Sequence, residues 1–228
     1  TTFTATSTLT STATATSTST PLPTQTPEPT QTAVTSDLGP DGLPLSASIA
    51  GVYGYAQSHS LTCESRSAVD WARFFGTDIG EMEFQNSLPV SDNPETSFVG
   101  NIDGYRGQLP PHSYGVHAAP VAAVLRDYGV SATAVKGYTF EKLKKQIAAG
   151  NPVLVWVIGN VWTNGSPVNY TASDGSSTTV AAYEHTVIVS GYDQYGLTIV
   201  DGEMVYWSSR KAFTASWKVL GNMAIIYK

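Results

Sequence analysis

The side chain best suited to act as a nucleophile in this sequence is that of its single cysteine, Cys63. Because no second cysteine exists to pair with it, an internal disulfide is excluded. His185 and Asp201 lie far downstream, sixteen residues apart. A cysteine, a distant histidine and a carboxylate that orients the histidine are the parts from which proteins build a thiolate nucleophile. The three residues therefore predict a cysteine-dependent enzyme of acyl transfer, in the first place a peptidase.

The stretch from Ser60 to Gly76 predicts a helix that begins at Cys63. Thr62 can act as its N-cap, and Gly76 can take the left-handed position after its C-terminus. Four apolar side chains recur at helical spacing and define a buried face: Ala68, Trp71, Ala72 and Phe75. Cys63 would then be the first helical residue, where free backbone N–H groups and the helix dipole stabilise a thiolate.

The elements after this helix change in type along the chain. Two more helices are predicted, over residues 118–128 and 140–149, and a long irregular segment precedes them at 77–115. Strands are predicted at 153–158, 185–192, 197–200 and 223–227, with a short helix at 211–220 and a loop or exposed hairpin at 159–180. Helices first and sheet second predict an α+β domain, in which a helical half faces a sheet half.

This order of elements would bring the reactive residues together. His185 opens one strand and Asp201 ends the next, and a tight turn at 194–196 makes the two strands an antiparallel hairpin. The histidine would take the thiol proton and return it to a leaving amine, while the carboxylate fixes the imidazole tautomer. Gln57, just before the helix, could stabilise an oxyanion together with the Cys63 backbone N–H.

Each of these residues also has an ordinary structural interpretation, such as a buried thiol or a turn carboxylate. His117 is the alternative base, and it is also expected to bind substrate together with Tyr114 and Trp162. His59 is too close to Cys63 in sequence to face it easily, and His112 lies in a proline-rich loop.

No cofactor and no metal ion is predicted. The sequence has neither paired cysteines nor histidines at the spacing of a zinc site. Four residues of the irregular segment could supply oxygen ligands to calcium but lack the EF-hand pattern, so we interpret them as part of a solvated loop: Asp92, Asn93, Glu95 and Asp103.

The first 36 residues differ sharply from the rest, with sixteen threonines and one charged residue, Glu28. Such a segment cannot bury enough apolar surface to offset its ordering entropy, which predicts a disordered linker or stalk at 1–36. Thr/Ser/Pro tracts are typical of exported proteins, which predicts an extracellular or cell-surface location with a signal or anchor upstream of the given chain. A flexible intracellular tail is the alternative.

Residues 37–228 are long enough for one domain with a sizeable core. The net charge is −6, and the three lysines at 142, 144 and 145 are interpreted as a solvated helix face, so nucleic acid is not expected as a partner. No apolar run approaches the roughly 18 residues that cross a bilayer. We expect a monomer that acts on peptide or protein substrates.

The spacing of Gln57, Cys63, His185 and Asp201 resembles that of the papain-like superfamily. The chain is more closely similar to the exported, stand-alone relatives of the bacteriocin-processing peptidases that cut after double-glycine leaders. Further stretches carry this resemblance: residues 91–94, 98–101, 108–111, 115–118, 151–157 and 184–189. The resemblance covers residues 45–228. It implies a papain-like α+β fold, with Cys63 as nucleophile, His185 as base, Asp201 as orienting group and Gln57 as oxyanion donor.

Two departures from the family pattern leave alternatives open. Glu64 follows the nucleophile where a glycine is common, and its charge should raise the pKa of the thiol. The sequence given contains no transporter domain, so processing coupled to export is not implied. The alternatives are a non-catalytic module that binds peptide or cell wall on a degenerate peptidase fold, and a wall-directed amidase or transglutaminase.

Overall fold

The computed structural model describes residues 1–2, 32–34 and 37–228. Within them the helices are α1 Cys63–Phe74, α2 Glu81–Ser87, α3 Ala118–Asp127, α4 Phe140–Ala148 and α5 Arg210–Val219. The strands are β1 Thr32–Val34, β2 Ala47–Ile49, β3 Ala132–Val135, β4 Val153–Ile158, β5 Val168–Thr171, β6 Ser177–Val180, β7 Glu184–Tyr192, β8 Gly196–Asp201, β9 Met204–Ser209 and β10 Ala224–Tyr227. The predicted α+β class is confirmed, because helices and antiparallel strands pack together in one domain.

An antiparallel sheet of eight strands forms the centre of the described domain. Its main order is β1-β2-β7-β4-β10-β3, and β8 pairs with both β7 and β9. All six residues of β4 are buried, as its continuous apolar run predicted. β7 pairs with β4 through the full length of β4, and the register places His185 opposite Val157. The strand that holds His185 is therefore fixed by the most deeply buried part of the sheet.

The helix that begins at Cys63 follows its sequence closely. Ala68, Trp71 and Ala72 are fully buried, and Gly76 follows the helix in the left-handed region at φ 87°. Thr62 occupies the N-cap position but makes no side-chain cap; its hydroxyl instead donates to Glu81 Oε1 at 2.6 Å. The predicted helices at 118–128 and 140–149 and the hairpin after His185 are also present, within one or two residues. Five elements were not predicted: α2, β1, β2, β3 and β9.

The predicted linker at 1–36 is partly corrected by the structure. Thr32–Val34 form β1, an edge strand paired with Ala47–Ile49, so these three residues belong to the sheet. The rest of the linker prediction, over residues 3–31 and 35–36, lies outside the described residues. Among the residues that are described, no helix has the length and apolar composition to cross a membrane.

A truncated chain that starts at Asp37 is expected to melt slightly below one that starts at Thr32. Only the longer chain keeps β1, whose three residue pairs with β2 cover the outer edge of that strand. A strand of this size should contribute about 1 kcal/mol, which corresponds to a melting temperature difference of roughly 2–4 °C for a domain of this length. Differential scanning fluorimetry of the two chains checks this, and identical melting temperatures would show that β1 does not stabilise the domain.

Candidate active site

A cavity of about 550 Å³ opens where the N-terminus of α1 faces β7 and the end of β8. Cys63, His185 and Asp201 all contribute to its lining. The fold therefore brings Cys63 into the same cavity as His185 and Asp201, which lie more than a hundred positions further along the chain. A second hollow, of about 460 Å³, lies between residues 85 and 102, and its lining contains no ionisable side chain.

Two hydroxyl groups hold the nucleophile helix against the strand that carries His185. Ser67, one turn after Cys63, donates to the Thr186 carbonyl at 3.2 Å. The Thr186 hydroxyl donates in turn to the Ser67 hydroxyl at 3.2 Å, and both side chains are buried. Because Thr186 follows His185 directly, these bonds fix the position of the histidine relative to the cysteine.

The imidazole of His185 is oriented by a buried carboxylate. His185 Nε2 lies 2.7 Å from Asp201 Oδ1, and Asp201 is 6% exposed. Burial alone would raise the pKa of Asp201, but the bonds with His185, Asn160 and Tyr206 outweigh it and lower that pKa below its ordinary value. Because Nε2 is bonded to Asp201, Nδ1 is the nitrogen that is left for proton transfer.

Two residues that hold Asp201 were not predicted from the sequence. Asn160 Nδ2 donates to Asp201 Oδ2 at 2.6 Å, and the Tyr206 hydroxyl donates to the same oxygen at 3.1 Å. Asn160 follows β4, and Tyr206 lies on β9. The Asn160 contact depends on how the end of β4 meets β8, 41 residues away in the chain. The Tyr206 contact is local, five residues from Asp201, but depends on β9, which was not predicted.

Asp201→Asn is expected to lower kcat/KM by at least about tenfold, since an amide cannot accept on both sides. If the amide oxygen faces His185, the amide nitrogen meets the Asn160 amide, so two donors oppose each other. If the amide is reversed, His185 is held in the wrong tautomer. The exchange Asp201→Asn with Asn160→Asp restores an acceptor opposite the new amide, so it should recover part of the rate. An exchange variant no better than Asp201→Asn would contradict this account of the pair.

Gln57 lines the cavity, but its amide nitrogen is already engaged. Gln57 Nε2 donates to the His59 carbonyl at 2.6 Å and to the Ser60 carbonyl at 3.0 Å. These two bonds use both amide hydrogens and tie Gln57 to the loop before α1. Its role as an oxyanion donor stays a prediction, and it requires one of these two bonds to be exchanged for the substrate oxygen.

The three predicted substrate-binding residues differ in position. Trp162 lines the cavity with 43% of its surface exposed, and Tyr114 lines it from a buried position. His117 has no exposed surface and is not part of the cavity lining, so the structure does not place it where substrate binds. Its Nδ1 lies 2.6 Å from Glu95 Oε1 and its Nε2 lies 3.1 Å from the Tyr114 hydroxyl. Burial lowers the pKa of His117, although Glu95 opposes this effect.

Two carboxyl groups lie beside Cys63, and the sequence predicted an effect of only one of them, Glu64. Cys63 Sγ donates to Glu64 Oε2 at 3.2 Å, and a second buried carboxyl, that of Glu184, lies against the same pair. Burial raises the pKa of Cys63 well above its ordinary value, and the charges of Glu64 and Glu184 raise it further. Burial also raises the pKa of Glu64, and it raises the pKa of Glu184 more strongly, with Glu64 as a second cause.

Two of the four candidates for calcium binding, Asp92 and Asn93, hold a hairpin in place. Asp92 accepts bonds from the Ser173 backbone N–H at 2.8 Å and from its hydroxyl at 2.9 Å. Asn93 donates to Asp174 at 2.9 Å. These contacts attach the β5–β6 hairpin to the long irregular segment. In the described part of the chain, one group of three potential metal ligands lies close together: Cys63, Glu64 and Glu184. The thiol hydrogen of Cys63 already bonds to Glu64.

Comparison with known proteins decides the family. The profile of the Peptidase_C39-like family matches residues 49–225. The chain belongs to this family. It is similar to the solved structure of a C39-like peptidase candidate from Bacillus anthracis, with 25% sequence identity, a TM-score of 0.68, and coverage of 78% of this chain and 94% of that chain. Xylellain, a cysteine protease from Xylella fastidiosa, matches with 13% identity and a TM-score of 0.47, over 82% of this chain and 86% of that chain. No curated protein matches the chain significantly.

Membership of the Peptidase_C39-like family confirms the predicted resemblance to the papain-like peptidases. The match begins in β2 and ends in β10, so it contains every residue proposed for the site. This C39-like chain therefore has the fold of a cysteine peptidase.

Proposed function

We propose that this C39-like chain is a cysteine peptidase that hydrolyses peptide bonds through a triad of Cys63, His185 and Asp201. The observation that carries the proposal is one arrangement: the thiol and an imidazole oriented by a buried carboxylate line the same cavity. A merely structural histidine would not need an aspartate that is itself held by two further donors.

The proposed reaction has two steps, acylation and deacylation, and each step passes one proton through His185. His185 Nδ1 takes the thiol proton as Sγ attacks the peptide carbonyl, and it then gives that proton to the leaving amine. A thioester to Cys63 remains. Water then attacks the thioester while His185 takes its proton, and the proton returns to sulfur as the acid product leaves. Asp201 stabilises the imidazolium in both steps without taking its proton.

The cavity fits an extended peptide better than a small compact molecule. It is open to solvent, and the aromatic rings of Trp162 and Tyr183 at its lining lie 5.3 Å apart between centroids. Both rings are about half exposed, so they offer apolar surface to substrate side chains. Arg106 also lines the cavity and provides positive charge near the peptide, whereas Arg66 in the same lining is paired with Asp70 and Glu81.

An exported or surface-attached location is part of the proposal. It rests on the Thr/Ser/Pro-rich composition of residues 1–36, which is typical of stalks outside the cell. The chain has one thiol and no internal disulfide, so its fold does not require the oxidising environment outside the cell.

A non-catalytic binding module is the second candidate, and one observation favours it. The thiol hydrogen of Cys63 bonds to Glu64 and not to His185, so the free chain does not show the nucleophile and base in contact. A module of this kind would bind peptides in the cavity and release them unchanged.

Incubation with a peptide library, followed by mass spectrometry, tests the proposal. Peptidase activity predicts defined fragments and an adduct on Cys63 that hydroxylamine releases as a hydroxamate. Adding a primary amine distinguishes a transglutaminase from a peptidase. A transglutaminase would transfer the acyl group to the amine, whereas a peptidase gives mainly the acid. Binding of library peptides without fragments or adduct, over the pH range 5–10, would support the binding module.

A further inference from the structure

Glu64 is buried beside the nucleophile and accepts hydrogen bonds on both of its oxygens. It is 1% exposed. The Val116 backbone N–H donates to Oε1 at 2.6 Å, and the Cys63 thiol donates to Oε2 at 3.2 Å. These two donors favour the charged form of Glu64, against the burial that raises the pKa of its carboxyl group.

Glu184 has the opposite surroundings. Both of its oxygens are buried, and no N–H or O–H group of the described residues donates to them. One oxygen of Glu184, one oxygen of Glu64 and Cys63 Sγ all lie within 4.8 Å of one another. In the described part of the chain, no lysine, arginine or histidine nitrogen forms an ion pair with either carboxyl group.

Gly115 makes the meeting of the two carboxyl groups possible. A Cβ atom at this position would lie 2.0 Å from Glu64 Oε1 and 2.9 Å from Glu184 Oε2. Its φ of 130° is also one that residues with side chains rarely adopt. The backbone therefore leaves a space that the two carboxyl groups occupy.

Two buried carboxylates in contact, with no cation beside them, cannot both be charged. One proton between them removes the conflict. Because Glu64 already has two donors and Glu184 has none, that proton belongs on Glu184, whose O–H then donates to Glu64 as a third donor. This assignment also gives the carboxyl group of Glu184 the partner that it otherwise lacks.

We propose that Glu64 and Glu184 hold one proton between them and act as positioning residues that keep Cys63 a neutral thiol in the free enzyme. The inference rests on the proposed function, since it concerns the nucleophile of that reaction. The charge of Glu64 opposes ionisation of the thiol and accepts its hydrogen, so the resting chain holds its nucleophile in an unreactive form.

Other charged groups near the thiol are committed elsewhere. Arg66, on α1, pairs with Asp70 and Glu81. The imidazole of His185, on β7, is bonded to Asp201 of β8. The remaining titratable or charged groups that line the cavity are two tyrosines and one arginine. Tyr114 is buried and bonded to His117, Tyr183 is half exposed against Trp162, and Arg106 donates to the Ser60 carbonyl. None of these contacts places a positive charge against the sulfur.

Release from this state requires one movement and one proton transfer. The thiol turns away from Glu64 about its Cα–Cβ bond, and its S–H bond breaks as the N–H bond forms on His185 Nδ1. Glu64 keeps its charge and its bonds from Val116 and Glu184. The carboxyl pair is therefore neither the base nor a proton donor in the reaction. It raises the free energy of forming the thiolate.

The rate of Cys63 alkylation by iodoacetamide, measured from pH 5 to pH 11 without substrate, tests the inference. Wild type is expected to have a midpoint above that of an ordinary cysteine, about 8.5. Glu64→Gln removes the charge beside the sulfur, so its midpoint should fall by at least about one pH unit. Glu184→Gln should leave the midpoint unchanged, because its amide N–H donates to Glu64 as the protonated acid does. Glu203→Gln, at an exposed position next to the cavity, is the matched control.

Two results would overturn the inference. A wild-type midpoint below pH 7 would mean that the free enzyme holds a thiolate, whatever the variants show. An equal fall in Glu184→Gln and Glu64→Gln would mean that Glu184 carries charge, so no proton is shared. Circular dichroism of each variant establishes that it is folded. If Glu64→Gln does not fold, the wild-type midpoint alone tests whether the free enzyme holds a neutral thiol. Because no substrate is present, these outcomes do not depend on whether the chain cleaves peptides.

Discussion

Replacing Cys63 with alanine is expected to lower kcat for peptide cleavage by roughly 10⁴-fold or more, because no other group in the cavity can form the thioester. Cys63 is the only cysteine of the chain, so no second thiol can substitute for it. The fold should remain, since alanine is the best helix former and the position is the first residue of α1. Cleavage of a peptide substrate found in the library, in single-turnover conditions, measures the loss.

Cys63→Ser completes this test. Its hydroxyl can still donate to Glu64, so the packing of the site is kept while the nucleophile becomes much weaker. We expect a loss close to that of Cys63→Ala, with melting temperatures within a few degrees of wild type for both variants. Full activity in either variant would show that Cys63 is structural, and unfolding of both would show that the thiol is needed for the domain.

His185→Ala is expected to reduce turnover about as far as loss of Cys63, since the base and nucleophile act as one unit. The effect should be in kcat more than in KM, because the imidazole transfers a proton and most of the cavity that binds substrate is unchanged. The variant also removes one of the three donors to the buried Asp201, so a small loss of stability is expected. Rates of single-turnover acylation compared with wild type separate the two effects.

His59→Ala is the matched control for the base. Its Nδ1 bonds to Asp103 at 2.8 Å, and the residue does not line the cavity. We expect its turnover to be close to that of wild type. His117, the alternative base in the sequence, is fully buried between Glu95 and Tyr114. If His117→Gln were folded and lost more activity than His185→Ala, the base would have been assigned to the wrong histidine.

The sequence was most informative where a local pattern decides the structure. The helix that begins at Cys63 was predicted from its apolar spacing and from Gly76, and the His185–Asp201 contact from a tight turn between two strands. Both depend on neighbours close in the chain. Asn160 could not be predicted in the same way, because it lies 41 residues from Asp201 and meets it only when the end of β4 reaches β8. Tyr206 is only five residues from Asp201, but its contact requires β9, a strand that was not predicted.

The same limit explains the carboxyl groups around the nucleophile. An effect of Glu64 on the thiol was predicted because Glu64 follows Cys63, but the direction of its side chain depends on the helix and on the Val116 N–H, which lies 52 residues away. No role was predicted for Glu184, since a glutamate before a histidine is ordinary in sequence. Its burial without a donor is a property of the folded chain. β1 was not predicted for a related reason: a strand of three residues has no pattern of its own and forms only on the edge of β2.

The hydroxyl pair of Ser67 and Thr186 has a consequence for how a substrate can enter. These two buried bonds join α1 to β7, so the thiol and the imidazole belong to one rigid body. A hinge that parted the helical half from the sheet would have to break them and would separate the reacting groups at the same time. We therefore expect the two halves to stay closed during turnover, and admission of the peptide to depend on the outer loops where Trp162 and Tyr183 stand.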